Sequence, residues 1–398
     1  MRIAIPRERR VQEPRVAASP DTVGKLARLG CEVVVEKGAG ADASFSDQAY
    51  KDAGATIAKN EKTALAGARV VLKVRRPIVG GKDDELALIP KDAVVIGIVD
   101  PFRAGDDVPA MAKAGLTVFA MDMLPRITRA QSMDVLSSQA NLAGYKAVLD
   151  AAAEYGRAIP MMMTAGGRIN PAHVLIMGAG VAGLQAIATA RRLGAVVHAT
   201  DVRPAAKEEV QSLGAKFVAV EDEEFRAAQT AGGYAKEMSA EYKRKQAALI
   251  AETLPKMDIV ITTAAIPGRP APRLITADMV KTMKPGAVIV DLAVETGGNC
   301  ELSQVGKVVT KHGVRLVGHR NVPGRLAEDA SRLYANNLFN FLSLIYDKDA
   351  KGLAIDWEDE IVKGALVTRG GAIVHPALEG LAREAAAEPA TEEGESDG

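Results

Sequence analysis

Apolar and polar positions alternate along this chain in two registers, short β-branched runs and longer stretches with helical spacing, and the alternation runs through two successive series. The first series spans residues 1 to about 125, with the runs Arg2–Pro6, Cys31–Val35, Ala55–Ala58, Arg69–Val74, Ala93–Val99 and Leu116–Met121 separated by helix-compatible pieces. Ser19 as N-cap, Pro20 at the first helical position and Gly30 just past the end delimit one of those helices. Strands alternating with helices predict a parallel sheet. From Ser132 to Tyr155 the spacing stays helical, which predicts a long helix connecting domains. Ala158–Ala172 places two apolar pieces around a Gly-Gly turn and predicts a hairpin; its three consecutive methionines suit a core or a subunit interface.

The second series begins at Val174 and continues through Lys216–Val220, Asp258–Ala264, Ala287–Ala293 and Arg315–His319. A second long helical pattern, Ala327–Ile345, is expected to return the chain to the first domain, and Ala365–His375 is another hairpin candidate. The last fifteen residues from Glu384 are acidic and lack large apolar side chains, the composition of a disordered tail. The fold class expected is α/β: two Rossmann-like domains with parallel sheets, joined by long helices. The first comprises residues 1–135 plus 328–380, the second 136–327, with a tail over 381–398.

The richest segment is Val174–Asp201: a strand, a glycine turn, a helix, a second strand and an acid at its end. Gly178, Gly180 and Gly183 form G-x-G-x-x-G, in which the first glycine makes the turn, the second admits a pyrophosphate and the third lets helix and strand pack closely. The helix N-terminus then faces the phosphates. Asp201, 18 residues beyond Gly183, is placed to accept from a ribose 2′-hydroxyl and to repel a 2′-phosphate, which favours NAD over NADP. Arg203 complicates this, because a guanidinium there serves a phosphate instead.

Composition changes little in this picture. Fifty basic and fifty acidic residues cancel, so no global field draws the chain to nucleic acid or anionic lipid. Cys31 and Cys300 lack partners at metal-ligand spacing, which suits a reducing cytoplasm without structural zinc, and the five histidines form no H-x-x-x-H pair. No apolar run reaches the length needed to cross a bilayer.

Hydride chemistry needs a positioned, water-shielded nicotinamide more than it needs an acid or a base. Three further segments look able to supply that cleft. Arg126, Gln131, Asp134 and Ser137 cluster before and at the start of the long helix, with Asp134 and Ser137 expected on one helix face. Thr263, Ala264 and Ala265 leave a strand with side chains small enough for a cofactor to approach. Gly233 and Tyr234 lie in a Gly-Gly-Tyr loop that reads as a lid. Lys73, near a strand end, and Arg15 suggest cations for a carbonyl or carboxylate, though both residue types are more often surface charges.

Together these residues resemble the NAD(H)-binding subunit of proton-translocating nicotinamide nucleotide transhydrogenases, relatives of alanine dehydrogenase. The likeness covers nearly the whole chain and is carried by Ala4–Arg10, Arg15–Pro20, Arg126–Tyr145, Gly180–Ala190, Thr230–Met238, Val294–Cys300 and Asn336–Leu342. The resemblance implies that Arg126, Gln131 and Asp134 reach toward the nicotinamide with Ser137 close by, and that the loop around Tyr234 closes over NAD. It implies a cofactor-binding set of Gly178, Gly180, Val181, Ala182, Gly183, Asp201, Val202, Arg203, Gly233, Tyr234, Thr263, Ala264 and Ala265, with NAD(H) as cofactor and no metal. It further implies a bacterial homodimer, peripheral on the cytoplasmic face of the inner membrane, docked on a membrane-spanning subunit and on an NADP(H)-binding beta subunit. The reaction is then of the Si-specific/Re-specific hydride-transfer class, coupled to proton translocation in the membrane partner, and the alpha component is expected to be divided between two polypeptides.

Alanine dehydrogenases resemble this chain at Arg15 and Lys73 but carry a histidine in the segment corresponding to Val94–Pro101, where this chain has none, and an aspartate where it has Glu295. Reductive amination must manage protons on its substrate, whereas hydride exchange between nicotinamides has no net proton. The missing histidine therefore favours transhydrogenation. Alanine dehydrogenase activity, a saccharopine-type dehydrogenase and a non-catalytic NAD-sensing module stand as alternatives.

Overall fold

A computed structural model describes residues 1–228, 238–266 and 268–380. The tail expected over 381–398 lies outside the described residues. The described chain divides into two compact units: residues 1–138 together with the chain from Ala327 onward, and Gln139–Leu326.

In the first unit the β-branched runs form β1 (Arg2–Ile5), β2 (Glu32–Glu36), β3 (Thr56–Ala58), β4 (Val70–Arg75), β5 (Val94–Ile98) and β6 (Thr117–Ala120), paired in parallel with one another. The connections carry α1 (Pro20–Arg28), α2 (Asp47–Asp52), α3 (Glu61–Leu65) and α4 (Asp107–Lys113). Helix α1 starts where its sequence signals place it. Ser19 and Thr22 exchange hydrogen bonds in a capping box, Pro20 follows, and Gly30 takes a positive φ just past the end. A 3₁₀ stretch (Thr128–Met133) precedes α5 (Val135–Glu154), so that helix begins three residues later than its spacing predicts.

The second unit opens with an exposed hairpin, β7 (Met162–Thr164) and β8 (Gly167–Ile169). Its sheet contains β9 (His173–Met177), β10 (Val196–Thr200), β11 (Lys216–Phe217), β12 (Ile259–Thr262), β13 (Val288–Asp291), β14 (Val308–Lys311) and β15 (Val314–Val317), in the order β11-β10-β9-β12-β13-β15-β14. Helices α6 (Val181–Arg192), α7 (Ala206–Ser212), α8 (Glu223–Arg226), α9 (Ala240–Thr253) and α10 (Ala277–Lys281) connect its strands. Strand β11 is shorter than the apolar run Lys216–Val220 predicts. Strand β14 is the element the pattern did not reveal, and it pairs antiparallel with β15 across a turn at His312 and Gly313, both at positive φ.

The chain returns through α11 (Ala327–Leu344), the short pair β16 (Tyr346–Asp347) and β17 (Gly352–Leu353), and α12 (Glu360–Ala365). The second hairpin, β18 (Leu366–Arg369) and β19 (Ala372–Ile373), adds antiparallel edge strands to the first sheet, whose order is β19-β18-β6-β5-β4-β1-β2-β3. One face of that sheet packs on Tyr334, Leu338 and Phe341 of α11. In each sheet the chain winds outward in both directions from its first strand, leaving a switch point between β1 and β4 and another between β9 and β12. Open α/β sheets bind ligands at such points, beyond the carboxyl ends of the strands.

Candidate functional site

At the switch point of the second unit the three glycines do three different things. Gly178 leaves β9 at φ +106°, and a Cβ there would lie 2.4 Å from Thr263 Oγ1. A Cβ on Gly183 would lie 1.8 Å from the Gly178 carbonyl oxygen, so only glycine lets α6 pack this close to the strand. A Cβ on Gly180 would meet nothing within 4 Å. Gly180 is the N-cap of the twelve-residue α6 and supplies no side-chain cap, so the first N–H groups face that open space. Val181 is 41% and Val202 39% exposed, apolar surface flanking the turn. Ala182 is close-packed instead: a Cβ on Gly144 of α5 would stand 2.0 Å from its carbonyl oxygen.

Asp201, just past β10, accepts from the Ala179 N–H at 2.7 Å. Its carboxylate also takes three donors from Arg203, the backbone N–H at 2.8 Å and the guanidinium Nε and Nη2 at 3.0 Å each. That hydrogen bonding, with burial opposing it, holds the Arg203 guanidinium above its ordinary value. Arg203 thus folds onto the acid, and a ribose hydroxyl reaches Asp201 only as the guanidinium gives up part of its hold.

Across the switch point, Thr263 Oγ1 donates to the Gly178 carbonyl at 3.2 Å. The Ala264 peptide is gripped on both sides by fully buried Asn299, whose Oδ1 accepts from its N–H at 3.1 Å and whose Nδ2 donates to its carbonyl at 2.9 Å. Buried Asp291 holds the next loop, accepting from Thr262 Oγ1, Ala293 N and Cys300 N. Ala265 and Ile266 emerge exposed. Open donors at a helix start, a clear approach at Gly180 and an acid at the end of the adjacent strand fit a dinucleotide. Gly233 and Tyr234 lie outside the described residues.

In the first unit, exposed Arg126 and Gln131 flank and occupy the 3₁₀ stretch before α5. Asp134 and Ser137 do not share a helix face. Asp134 instead caps α5, its carboxylate accepting from the Ser137 N–H at 2.9 Å and from Ser137 Oγ at 2.5 Å. Sequence reasoning missed the residues that fix this stretch: Asn337 and Asn340 of α11 each donate to the Ser132 carbonyl at 2.9 Å, and Ser138 Oγ donates to Asn337 Oδ1.

Two family profiles match the chain, "Alanine dehydrogenase/PNT, N-terminal domain" over residues 4–143 and "Alanine dehydrogenase/PNT, C-terminal domain" over residues 147–376. The chain belongs to the alanine dehydrogenase/PNT family. It is 59% identical over 381 residues to a protein of Rhodospirillum rubrum named as the first portion of NAD(P) transhydrogenase subunit alpha, covering 96% of this chain and 99% of that one. A transhydrogenase structure from Sinorhizobium meliloti superposes with a TM-score of 0.85 at 56% identity, covering 94% of this chain and all of that one. An L-alanine dehydrogenase structure gives a TM-score of 0.80 at 26% identity, covering 97% of this chain and all of that one.

Within this family the two cations singled out by sequence, Arg15 and Lys73, sit in the first unit as internally paired charges rather than surface ones. Lys73 is 1% exposed, with its Nζ 2.7 Å from Glu85 Oε1 and 3.4 Å from Glu8 Oε1. Burial alone would lower its pKa, and the two carboxylates more than offset this. Arg15 is 2% exposed and fork-bonded to Glu13 at 2.7 and 2.6 Å. Glu295, the acid before the Gly-Gly pair, accepts from the Asn321 N–H at 2.8 Å. Among the described residues no group of three or more His, Cys, Asp or Glu is placed to hold a metal, and no helix is long and apolar enough to cross a membrane.

Proposed function

We propose that the chain is the NAD(H)-binding alpha subunit of a proton-translocating nicotinamide nucleotide transhydrogenase. The observation that carries this reading is its end-to-end likeness to a protein named as a portion of transhydrogenase subunit alpha, at more than twice the identity it shares with the alanine dehydrogenase structure. The glycine turn supports it chemically. The α6 N–H groups bind the pyrophosphate, Gly180 leaves room for it, and Asp201 takes the ribose hydroxyls while opposing a 2′-phosphate. Val181 and Val202 flank the adenosine, and the Asn299-held Thr263–Ala265 strand exit lines the nicotinamide side. Bound NADH supplies the hydride. Arg126, Gln131, Asp134 and Ser137 orient the nicotinamide and exclude water, with Asp134 held rigid by its cap on α5.

The acceptor is NADP⁺ on a separate subunit, with transfer of the Si-specific/Re-specific class, and proton movement belongs to a membrane-spanning partner. The chain works as a homodimer held peripherally on the cytoplasmic face of the membrane through those partners. Lys73 and Arg15 are both buried and ion-paired, with Glu85 and Glu13, so a keto acid would have to compete with those carboxylates to reach either cation. The test mixes the chain with an NADP(H)-binding transhydrogenase subunit and follows reduction of an NAD analogue by NADPH, with pyruvate plus ammonium as the comparison for the chain alone. Transfer only with both proteins present is expected; NADH oxidation by pyruvate and ammonium without the partner would overturn the reading in favour of alanine dehydrogenase.

A further inference from the structure

Between the 3₁₀ stretch and α5 the chain changes direction at Asp134, whose backbone is extended at φ −71° and ψ 94°. Each side of that bend is tied locally. The Asp134 N–H donates to the Gln131 carbonyl at 3.3 Å, and the Asp134 carboxylate caps α5 through Ser137. Bonds this short in sequence shape each element but leave the angle between the two to groups from elsewhere. Helix α11 supplies one that spans the bend. Asn337 is 7% exposed, beside Leu338 and Phe341 on the face of α11 that enters the core. Its Nδ2 donates to the Ser132 carbonyl at 2.9 Å, before the bend, and its Oδ1 accepts from Ser138 Oγ at 2.8 Å, after it. Asn340, three residues on, donates to the same Ser132 carbonyl at 2.9 Å, so both lone pairs of that oxygen are engaged. Ala130 and Met133 are buried in the same core as Phe341, while Gln131 between them is exposed. Arg129 adds an ion pair at 2.5 Å with Asp359, the N-cap of α12.

We propose that Asn337 is a positioning residue for hydride transfer: by bridging Ser132 and Ser138 it sets the angle at which Gln131 is presented to the nicotinamide. Its amide uses donor and acceptor at once, one on each side of the bend, so losing it frees the 3₁₀ stretch to swing against α5. Asn340 grips the near side alone and leaves the bend spanned when it is removed. Displacing a positioning group by about 1 Å costs up to about 100-fold in rate, which is the effect a slackened bend produces. The inference rests on the proposed role of the 126–137 segment and adds to it the residue that holds that segment in place.

The test compares Asn337→Ala, Ser138→Ala and Asn340→Ala in the full chain. Three quantities are read: NADH affinity from nicotinamide fluorescence, hydride transfer per folded molecule at saturating NADH in the two-subunit assay, and amide hydrogen exchange over residues 126–138. Asn337→Ala should slow transfer about 10-fold at unchanged NADH affinity and speed exchange across the bend. Ser138→Ala, which cuts the other leg of the bridge, should slow transfer about 3-fold and add nothing to Asn337→Ala in the double variant. Asn340→Ala should stay within about 2-fold of wild type, since the other donor to Ser132 remains. Wild-type transfer per folded molecule in Asn337→Ala, or a loss matched by weaker NADH binding, would overturn the proposal. If Asn337→Ala does not fold, a wild-type rate and wild-type exchange in Ser138→Ala would overturn it instead. Absence of transfer by the wild-type pair would count against the proposed function, whereas normal wild-type transfer with unchanged rate and exchange in the variants would overturn the bridge alone.

Discussion

The two units wind their sheets in the same sense and leave the same kind of switch point, yet one corner is open and the other is filled. After β9 the chain turns through Gly178, Gly180 and Gly183 and leaves helix N–H groups facing space. After β1 it turns through Pro6, Arg7 and Glu8, and the space is taken by Lys73, Glu8 and Glu85, with Arg15 and Glu13 paired in the same unit. Topology provides the crevice; side-chain volume and charge decide whether it stays one. The open corner is kept open by absent Cβ atoms, whereas the closed one is kept closed by ions whose burial is tolerable only while each retains its partner.

The sharpest break of this comparison is Lys73→Met. It strands Glu8 and Glu85 without their cation and is expected to destabilise the first unit by about 3–5 kcal/mol. Trp357, the chain's one tryptophan, lies in that unit, so its fluorescence during denaturant unfolding reads the loss, while NADH affinity, set in the second unit, should stay near wild type. Gly183→Ala should do the reverse. Its methyl collides with the Gly178 carbonyl, so NADH binding should fall by about 100-fold or more while the Trp357 transition holds. Gly180→Ala separates room for folding from room for ligand: nothing obstructs its Cβ, so the fold should persist while NADH binding weakens about 10-fold. Equal affinities for Gly180→Ala and wild type would remove Gly180 from the phosphate path.

The open corner was legible in the sequence because everything that makes it is local. Three glycines, a helix and an acid fall within 24 residues of one another, and each has a single steric or electrostatic job. The closed corner was not. Glu8 lies 65 residues from Lys73 and Glu85 lies 12, and no periodicity links them. Asn299, which grips Ala264 from 35 residues away, and Asn337, which reaches the Ser132 carbonyl from α11, escaped for the same reason. Gly144 carried a faint signal, an isolated glycine inside a helical pattern, but its cause is the Ala182 carbonyl. The part-exposed β14 lacked clean alternation, and the positive φ values of the His312-Gly313 turn that joins it to β15 are seen only in the structure.

A smaller effect is expected at the start of α5, where positioning rather than occupancy is at issue. Asp134→Asn retains a capping side chain, so Tm should change little, yet the loss of charge should slow hydride transfer about 10-fold in the two-subunit assay. Gln131→Asn shortens the exposed side chain on the same stretch and should act likewise. Unchanged rates in both variants would take this segment out of the mechanism and leave it as a helix start held by α11.

The smallest prediction concerns the acid surplus that filling a corner brings. Arg9 is shared between Glu36 at 2.6 Å and Glu61 at 3.2 Å. Burial, only partly offset by Arg9 and reinforced by Glu85 and Glu36, pushes the Glu61 carboxyl up to about 7 from its usual 4.5. A raised folded pKa means the native state binds the proton more tightly than the unfolded chain. The resulting stability is complete below pH 4.5 and disappears as pH rises through 7. Glu61→Gln, which cannot ionise, should therefore match wild type near pH 4.5 and exceed it above pH 7. After discounting for solvent screening, the gain at high pH should be about 1 kcal/mol. Trp357-monitored denaturation at the two pH values measures it directly. A pH-independent difference would mean that Arg9 keeps Glu61 ionised throughout, and that the charges of the first unit balance without a held proton.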